Sequence, residues 1–226
     1  MIDVILASPF FGLTLSCAAW CVGVWVQKKT GVVLCNPIVI ASAFTILILV
    51  AFRIPLESYN AGGSLISMML SPATAVLALN VYHQRKLLGE YFIPVVVGCL
   101  AGALTNIVSI LLLCRLLAVD NAITQSLLPK SVTTAIAVAI SGSLGGIPGI
   151  TIAAVIVAGI VGAIFAPLFA KLFRITDPVA EGVAIGACSH ALGTSKALEI
   201  GQLQGAMSSV SLCISGILTS VLVLFL

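Results

Sequence analysis

Charged residues are too sparse in this sequence to cover the surface of a water-soluble protein. Only 10 Lys and Arg and 7 Asp and Glu occur among 226 residues, so 8% of the chain is charged, against about 25% in an ordinary soluble domain. Hydrophobic residues make up 61% of the chain. This composition excludes a soluble enzyme, a nucleic-acid-binding protein and a disordered segment. We therefore expect a polytopic membrane protein with one domain, 1–226, whose surface faces the lipid bilayer.

Long apolar runs predict the membrane-spanning helices. Hydropathy gives five clear spans: 9–27, 36–52, 91–114, 150–173 and 205–226. A sixth run, 62–82, is long enough to cross, but Ser71 and Pro72 interrupt it. Two further stretches, 121–144 and 178–202, are only moderately apolar and predict re-entrant hairpins. The predicted fold is all-α, with about six spanning helices and about two re-entrant, broken-helix hairpins.

The positions of the cations predict how the spans are oriented. Three pairs of cations border them: Lys28 with Lys29, Arg85 with Lys86, and Lys171 with Arg174. Because cytoplasmic loops are rich in Lys and Arg, these pairs place the N-terminus outside the cell. They also make the 91–114 and 150–173 spans run in opposite directions. No basic residue precedes the first apolar run, so a cleaved signal peptide is not expected.

A weak internal repeat accompanies this orientation. Residues 71–112 match residues 131–172 at a constant spacing of 60, with nine identical pairs in 42 positions. Nine matches carry little weight among so many Ala, Val, Leu and Gly residues, but the matched spans also have opposite predicted directions. Inverted repeats of this kind build the two alternately open states of many transporters. The sequence thus predicts an inverted-topology repeat with units 62–120 and 121–180.

The first predicted hairpin carries a cation at its centre. Residues 128–134 read Leu-Pro-Lys-Ser-Val-Thr-Thr. The proline ends the preceding helix, while Ser131 and Thr133 suit the first turn of the next one. At membrane depth, this helix N-terminus and Lys130 would attract an anion. The alternative is that Lys130 snorkels to the interface from an amphipathic surface helix.

The second predicted hairpin is rich in small residues and holds one of the two histidines. Gly193 predicts the helix break, and Thr194 suits the cap of the half-helix that follows. His190 is the side chain most suited to titrate near neutral pH, and Glu181 and Glu199 are further candidates for proton coupling. The alternative is that His190 is hydrogen-bonded within a helix interface.

Two further features are the break in the 62–82 run and the seven cysteines. Ser71 and Thr74 would offer hydroxyls at the break, and the alternative is a proline kink whose carbonyls are satisfied by neighbouring hydroxyls. The seven cysteines are scattered along apolar runs without metal-like spacing. They predict packing between helices rather than disulfides or a metal site.

These polar strings resemble the LrgB/CidB family, and the resemblance covers nearly the whole chain. The matching elements are Asn36-Pro37, Leu70-Ser71-Pro72-Ala73, the 128–134 string, Gly-Ser-Leu-Gly-Gly-Ile-Pro at 142–148, Ser-His-Ala-Leu-Gly-Thr at 189–194, and Gly205-Ala206. The family implies multi-pass proteins of the bacterial inner membrane, named as antiholin-like modulators of murein hydrolase export and autolysis. They usually act with a small hydrophobic LrgA/CidA-type partner.

The resemblance also implies carboxylate transport. A plastid relative exchanges glycolate and glycerate, and bacterial members are linked to pyruvate uptake. This chain departs from the family, which usually has proline where Ala135 and Asn80 stand here. The first half-helix is therefore expected to be straighter.

Two functions are consistent with these features. The first is alternating-access transport of small monocarboxylates such as glycolate, glycerate, lactate or pyruvate, coupled to protons or sodium ions and without a metal or organic cofactor. The expected substrate-binding residues are Lys130, Ser131, Thr133, Thr134, Ser189, His190, Gly193, Thr194, Ser71 and Thr74. The alternative function is antiholin-like regulation of murein hydrolase export and autolysis with an LrgA/CidA-type partner.

Catalysis and assembly complete the expectations. An intramembrane hydrolase would pair Ser131 with Lys130, or Ser189 with His190, but neighbouring residues on a helix point apart. We therefore expect no enzymatic activity. A small-residue face, which comprises Gly98, Gly102, Gly159 and Gly162, packs either within the chain or between two copies. A homodimer is the expected assembly.

Overall fold

Helices account for most of the chain that the computed structural model describes, which is residues 6, 8–31, 37–69, 72, 75, 76, 79 and 82–226. Within this part there are ten helices and no strand, which confirms the all-α fold class. The helices are α1 (Pro9–Thr30), α2 (Pro37–Ala51), α3 (Leu56–Ser67), α4 (Arg85–Glu90), α5 (Phe92–Leu116), α6 (Asn121–Leu127), α7 (Thr134–Ser143), α8 (Pro148–Leu172), α9 (Pro178–Ile200) and α10 (Gln202–Val223). They form two compact units, 1–74 and 75–226.

Four helices, α1, α5, α8 and α10, are long and apolar enough to cross a membrane. They correspond to four of the five clear spans, and α2, which corresponds to the fifth, has only 15 residues. The interrupted 62–82 run does not form one helix, because α3 begins at Leu56 and ends at Ser67. Most of residues 70–81 lie outside the described part of the chain. The structure is thus that of a polytopic membrane protein.

The first unit is built on α1, which packs against both α2 and α3. The Ser8 side chain accepts a hydrogen bond from the Phe10 backbone and so caps the N-terminus of α1. Close approach of α1 to α3 depends on glycine, since a Cβ on Gly12 would collide with the Tyr59 carbonyl. The Tyr59 hydroxyl is 2.9 Å from the Ser16 hydroxyl of α1. These contacts join the helices through backbone proximity and one polar pair.

In the second unit, α9 is a hairpin of two half-helices. His190 has φ 41° and ψ −139°, which ends the first half at 189 and starts the second at 191. A Cβ on Gly193 would lie only 3.2 Å from the Ile185 carbonyl oxygen, whereas eight residues of straight helix span about 12 Å. The chain has therefore folded back. The predicted break at Gly193 is wrong, because the reversal occurs at His190 and Gly193 instead lets the two halves pack closely.

Helix α10 lies beside both halves of this hairpin. Ser208 contacts Gly186 of the first half, and its hydroxyl is 2.8 Å from the Thr194 hydroxyl of the second half. Gly186 and Thr194 are equidistant in sequence from His190, as expected for two arms that meet at that residue. One face of α10 therefore holds the two arms together.

A second hairpin is formed by α6, α7 and the non-helical residues 128–133 between them. The Ser126 hydroxyl accepts a hydrogen bond of 2.7 Å from the Ile147 backbone N–H, which lies beyond the end of α7. Gly146 also lies against Ser126, whose backbone N and Oγ would both be 3.0 Å from a Cβ at that position. These contacts hold the C-terminal end of α6 against the residues that follow α7. Residues 128–133 connect the two helices and are called the tip of this hairpin below.

Helix α5 runs parallel to the first half of α9. Gly98 of α5 faces Val183, and Gly102 faces Ala187, so both helices pass the contact in the same order. The shared core contains Val95 of α5, which is fully buried.

Helix α8 runs antiparallel to the same half-helix. Gly159 of α8 faces His190, and Gly162 faces Ser189, in the reverse order. Since α5 is parallel to this half-helix, α5 and α8 run in opposite directions, as the cation positions predict. All four glycines of the small-residue face pack against α9 within the chain.

The same succession of elements occurs twice in the second unit. Helices α5 and α8 each have 25 residues and are each followed by a residue with positive φ, Ala118 at 50° and Arg174 at 53°. In each case an aspartate, Asp120 or Asp177, then caps the next helix. Equivalent positions are 56 or 57 residues apart rather than 60. The predicted units 62–120 and 121–180 stay a prediction.

Candidate functional site

The tip of the α6–α7 hairpin is tied to the middle of α5 by Asn106. This asparagine is buried, and its Nδ2 donates a 2.7 Å hydrogen bond to the Leu128 carbonyl oxygen. Its Oδ1 accepts a hydrogen bond from Lys130 Nζ. The Lys130 side chain therefore turns into the unit rather than outward. Because Val132 beside it is also buried, the alternative of an amphipathic surface helix does not fit.

Three residues with hydroxyl groups follow Lys130 in the chain: Ser131, Thr133 and Thr134. Ser131 is buried, and Thr133 stands at the N-cap position of α7 without bonding to its own helix. The Thr133 hydroxyl is buried and has no hydrogen-bond partner. Thr134 opens α7 and is exposed. The tip thus combines a cation, an available hydroxyl and the N-terminus of α7, groups that suit an oxyanion.

The tip of the α9 hairpin is packed tightly onto α8. His190 is buried, and its Nε2 lies 2.8 Å from the Val155 carbonyl oxygen. A carbonyl can only accept a hydrogen bond, so Nε2 carries the proton. A Cβ on Gly159 would lie 2.5 Å from the His190 ring, so glycine is required for this approach. The alternative of a histidine bonded within a helix interface agrees with this geometry.

Thr194 stabilises the second arm just beyond the reversal. Its hydroxyl donates a 2.9 Å hydrogen bond to the His190 carbonyl oxygen. Since a hydroxyl has one proton, the 2.8 Å contact with Ser208 must be a hydrogen bond donated by Ser208. Thr194 therefore lies inside the second half-helix rather than capping it, and its hydrogen-bonding capacity is largely used.

The two hairpin tips meet on α8. The Val155 side chain packs against Val132 near the first tip, while its carbonyl oxygen contacts His190 at the second. Lys130 lies two residues before Val132, and Ser189 directly precedes His190. The structure thus brings together Lys130, Ser131, Thr133, Ser189 and His190.

The other predicted residues lie away from the tips. Glu181 accepts a hydrogen bond of 3.2 Å from Gln204 near the start of α9, and Glu199 forms a 2.8 Å ion pair with Lys196 near its end. Each glutamate is nine residues from His190, or about 14 Å along a helix. The proton-coupling candidates are therefore not in contact. Ser71 and Thr74 lie outside the described residues.

Asn106 is the polar residue at this site that sequence reasoning missed. It is one amide within an apolar helix of 25 residues, and a polar side chain inside a membrane span is itself a signal of function. A row of buried hydroxyls on α10 was missed as well: Ser208, Ser211, Ser215 and Thr219. Their spacing of three or four residues places them on one helix face.

The chemistry available at the tips is the binding of a small anion. A Lys within a membrane costs about 2.5–3.5 kcal/mol on insertion scales, and a bound anion would offset part of that cost. Across the part of the chain that the structure describes, no group of three or more His, Cys, Asp or Glu side chains could hold a metal ion.

Comparison with known proteins gives consistent results along almost the whole chain. The sequence model of the LrgB-like family matches residues 16–226. Antiholin-like protein LrgB of Bacillus subtilis (strain 168) is 34% identical over 213 residues, which cover 94% of this chain and 92% of the relative. Antiholin-like protein LrgB of Bacillus mycoides (strain KBAB4) is 35% identical over 217 residues, which cover 96% and 94%. No solved structure matches. The chain belongs to the LrgB-like family.

Proposed function

We propose that this protein carries small monocarboxylate anions of the glycolate, glycerate, lactate and pyruvate class across the bacterial inner membrane. The observation that carries the proposal is the meeting of two hairpin tips on α8, with Lys130 in the first tip and hydrogen-bonded to the buried Asn106. A purely structural helix bundle would not place a lysine there, since burying its charge among apolar helices is unfavourable.

The carboxylate would bind at the Lys130 tip. Its oxygens would replace Asn106 Oδ1 as the partner of the ammonium and accept from the free Thr133 hydroxyl and the N-terminus of α7. A charge-assisted hydrogen bond of this kind contributes about 1.5–3 kcal/mol. Ser131 and Ser189, the chain neighbours of Lys130 and His190, would favour substrates that carry a hydroxyl or keto oxygen.

Transport would follow from the repeated succession of α5–α7 and α8–α9. The two halves run in opposite directions and each contributes one tip, which is the arrangement expected for re-entrant hairpins within an inverted-topology repeat. Rocking one half against the other would expose Lys130 to each side in turn. With the N-terminus outside, the Lys171 and Arg174 end of α8 faces the cytoplasm.

Ion coupling and assembly are part of the same proposal. His190 would carry the coupling proton on Nδ1, since Nε2 is committed to Val155. Glu181 and Glu199 do not contact His190 and are not part of the proposed coupling step. We propose no enzymatic role, because Lys130 is bonded to Asn106 and His190 to Val155, rather than to a neighbouring serine. A homodimer stays a prediction.

Uptake into proteoliposomes tests the transport function. Purified protein should accumulate radiolabelled glycolate, lactate or pyruvate, and Lys130→Ala should lower the initial rate about 10- to 100-fold, in line with one charge-assisted interaction. Lys196→Ala is the matched control, since Lys196 pairs with Glu199 outside the tips. Equal uptake by wild type, Lys130→Ala and His190→Ala would contradict the roles assigned to these two residues. Uptake by wild type no higher than by empty liposomes would contradict the transport function itself.

A second candidate function is favoured by the printed names of the relatives, which are antiholin-like. In this role the protein would control a small LrgA/CidA-type membrane partner and thereby murein hydrolase export and autolysis. Complementation separates the two functions. A deletion strain that lyses abnormally should be restored by wild type but not by Lys130→Ala if lysis follows carboxylate flux. Full restoration by Lys130→Ala, together with co-purification of the partner, would favour direct regulation instead.

A further inference from the structure

An elongated cavity lies between the C-terminal half of α8 and the first half of α9, and its lining residues Ala184 and Cys188 are exposed. Its volume is about 560 Å³, and its walls are mainly apolar. Phe173 and Glu181 line it at one end, and Cys188 and Ser189 line it at the other. The seven residues from Glu181 to Cys188 correspond to about 10 Å of helix. The cavity therefore extends from the start of α9 to the tip of its hairpin.

A second cavity of about 640 Å³ adjoins the first at its outer end. The two share Ala170, Ile175 and Glu181 among their lining residues. The outer cavity is also lined by Lys171 and Arg174, which are exposed at the end of α8. A small molecule at that end of α8 would thus meet two cations first and the apolar walls afterwards.

The inner end of this passage reaches the proposed binding site. Ser189 at this end is buried against Gly162. The next residue, His190, lies against the Val155 carbonyl, and Val155 shares a core cluster with Val132 of the first tip. Lys171 and Arg174 therefore stand at the outer end, and the tip that carries Lys130 lies beyond the inner end. One acid, Glu181, lies at the junction of the cavities, where Gln204 donates a hydrogen bond to it.

We infer that a small anion reaches Lys130 through this passage, from the end of α8 where Lys171 and Arg174 lie. The inference rests on the proposed function, because it assigns a route to the same site. Cations at a cleft mouth raise the local concentration of anions. Because apolar walls cannot hydrogen-bond to an anion, the anion would keep water around it as it passes through the cavity. The conformation described here is then the state open toward the Lys171 and Arg174 end.

Labelling of Cys188 tests the route without requiring transport. Protein in oriented vesicles is treated with an anionic thiol reagent, sulfonatoethyl methanethiosulfonate, and modified peptides are quantified by mass spectrometry. Thr176→Cys marks the face at the end of α8, and Leu117→Cys marks the opposite face, because α5 and α8 are antiparallel. Cys188 should react from the Thr176 face and not from the Leu117 face.

Charge and volume variants sharpen the test. Arg174→Gln should slow labelling of Cys188 by the anionic reagent about threefold, and should speed labelling by a cationic methanethiosulfonate, as expected for electrostatic focusing. Ala184→Trp, which fills the inner cavity, should abolish the labelling, whereas Leu168→Trp, on an exposed face of α8 outside the cavity lining, should not.

Other labelling results either overturn the proposed route or separate it from the transport function. Labelling from the Leu117 face, or labelling by a membrane-permeant maleimide but never by the anionic reagent, would overturn the route, and the second result would indicate a groove filled by lipid. If Cys188 is labelled as expected but the protein takes up no carboxylate, the anion-accessible route is supported and the proposed transport function is contradicted. Protection of Cys188 by glycolate would support both.

Discussion

The two hairpin tips meet on the same helix but are built in different ways. The first tip, residues 128–133, is a non-helical loop held by one amide, Asn106, and it leaves the Thr133 hydroxyl without a partner. The second tip reverses within His190 alone and is fixed by backbone contacts at Val155 and Gly159. Polar groups with unused hydrogen-bonding capacity can change partners when a ligand binds. Closely packed side chains have no room to rearrange in this way. The first tip is therefore the part of the proposed site that is suited to exchange a ligand, and the second tip is suited to hold a fixed geometry around His190.

The largest expected effect comes from giving Lys130 a permanent counter-ion. Asn106→Asp places a carboxylate where the amide oxygen now accepts from Lys130, so substrate must compete with a covalently held anion. We expect carboxylate uptake to fall about 100-fold, which corresponds to about 2.7 kcal/mol. The initial rate of uptake in proteoliposomes measures the effect.

Asn106→Ala is the matched control for that variant. It also loses the bond to the Leu128 carbonyl but leaves the Lys130 charge available. It should therefore retain more uptake than Asn106→Asp, even though it is the less stable of the two. If the two variants transport equally, the amide acts only as a structural tie and the assignment of binding to the first tip fails.

The next largest effect concerns the fit of the second tip. Gly159→Ala puts a methyl group within 2.5 Å of the His190 ring, and overpacking of this kind costs about 1–3 kcal/mol. We expect a lower thermal unfolding temperature in detergent. Gly149→Ala, on the same helix with nothing within 4 Å of the added Cβ, should be neutral or stabilising. Equal stability of both variants would show that the second tip is not close-packed.

The sequence predicts the long helices well because apolar length is a local property. The span predicted at 9–27 corresponds to the helix Pro9–Thr30, and the span predicted at 91–114 corresponds to the helix Phe92–Leu116. Both hairpins were also predicted, since each interrupts apolar sequence with prolines, glycines or hydroxyls. The prediction of a reversal at Gly193 is wrong because a glycine in the sequence can serve either a turn or a close contact between helices. Gly193 serves a contact with Ile185.

Contacts between residues far apart in the chain could not be predicted from the sequence. Asn106 is 24 residues from Lys130, and Val155 is 35 residues from His190, and no periodicity connects such pairs. The predicted spacing of 60 between repeats differs from the 56 or 57 residues between equivalent turns. Identities among small apolar residues do not define a register, whereas capped helix ends do.

A smaller effect separates the two threonines of the tips. Thr194 both donates and accepts hydrogen bonds, so Thr194→Val should cost about 1–2 kcal/mol and leave Ser208 without its acceptor. Thr133 has no partner, so Thr133→Val should preserve stability while lowering carboxylate uptake severalfold. Thermal unfolding and uptake are measured on both variants. Loss of stability in Thr133→Val with unchanged uptake would reverse the roles assigned to the tips.

The smallest effect is expected where the arms of α9 end, at the Lys196–Glu199 ion pair. The two side chains are 2.8 Å apart but 25% and 67% exposed, and such pairs contribute about 0.3–0.5 kcal/mol. Glu199→Gln should therefore change thermal stability very little. Because Glu199 does not contact His190, the variant should also leave carboxylate uptake close to that of wild type. A large loss of uptake would mean that Glu199 couples protons across the length of the arm, and the functional region would then extend from the tips to the ends of the hairpin.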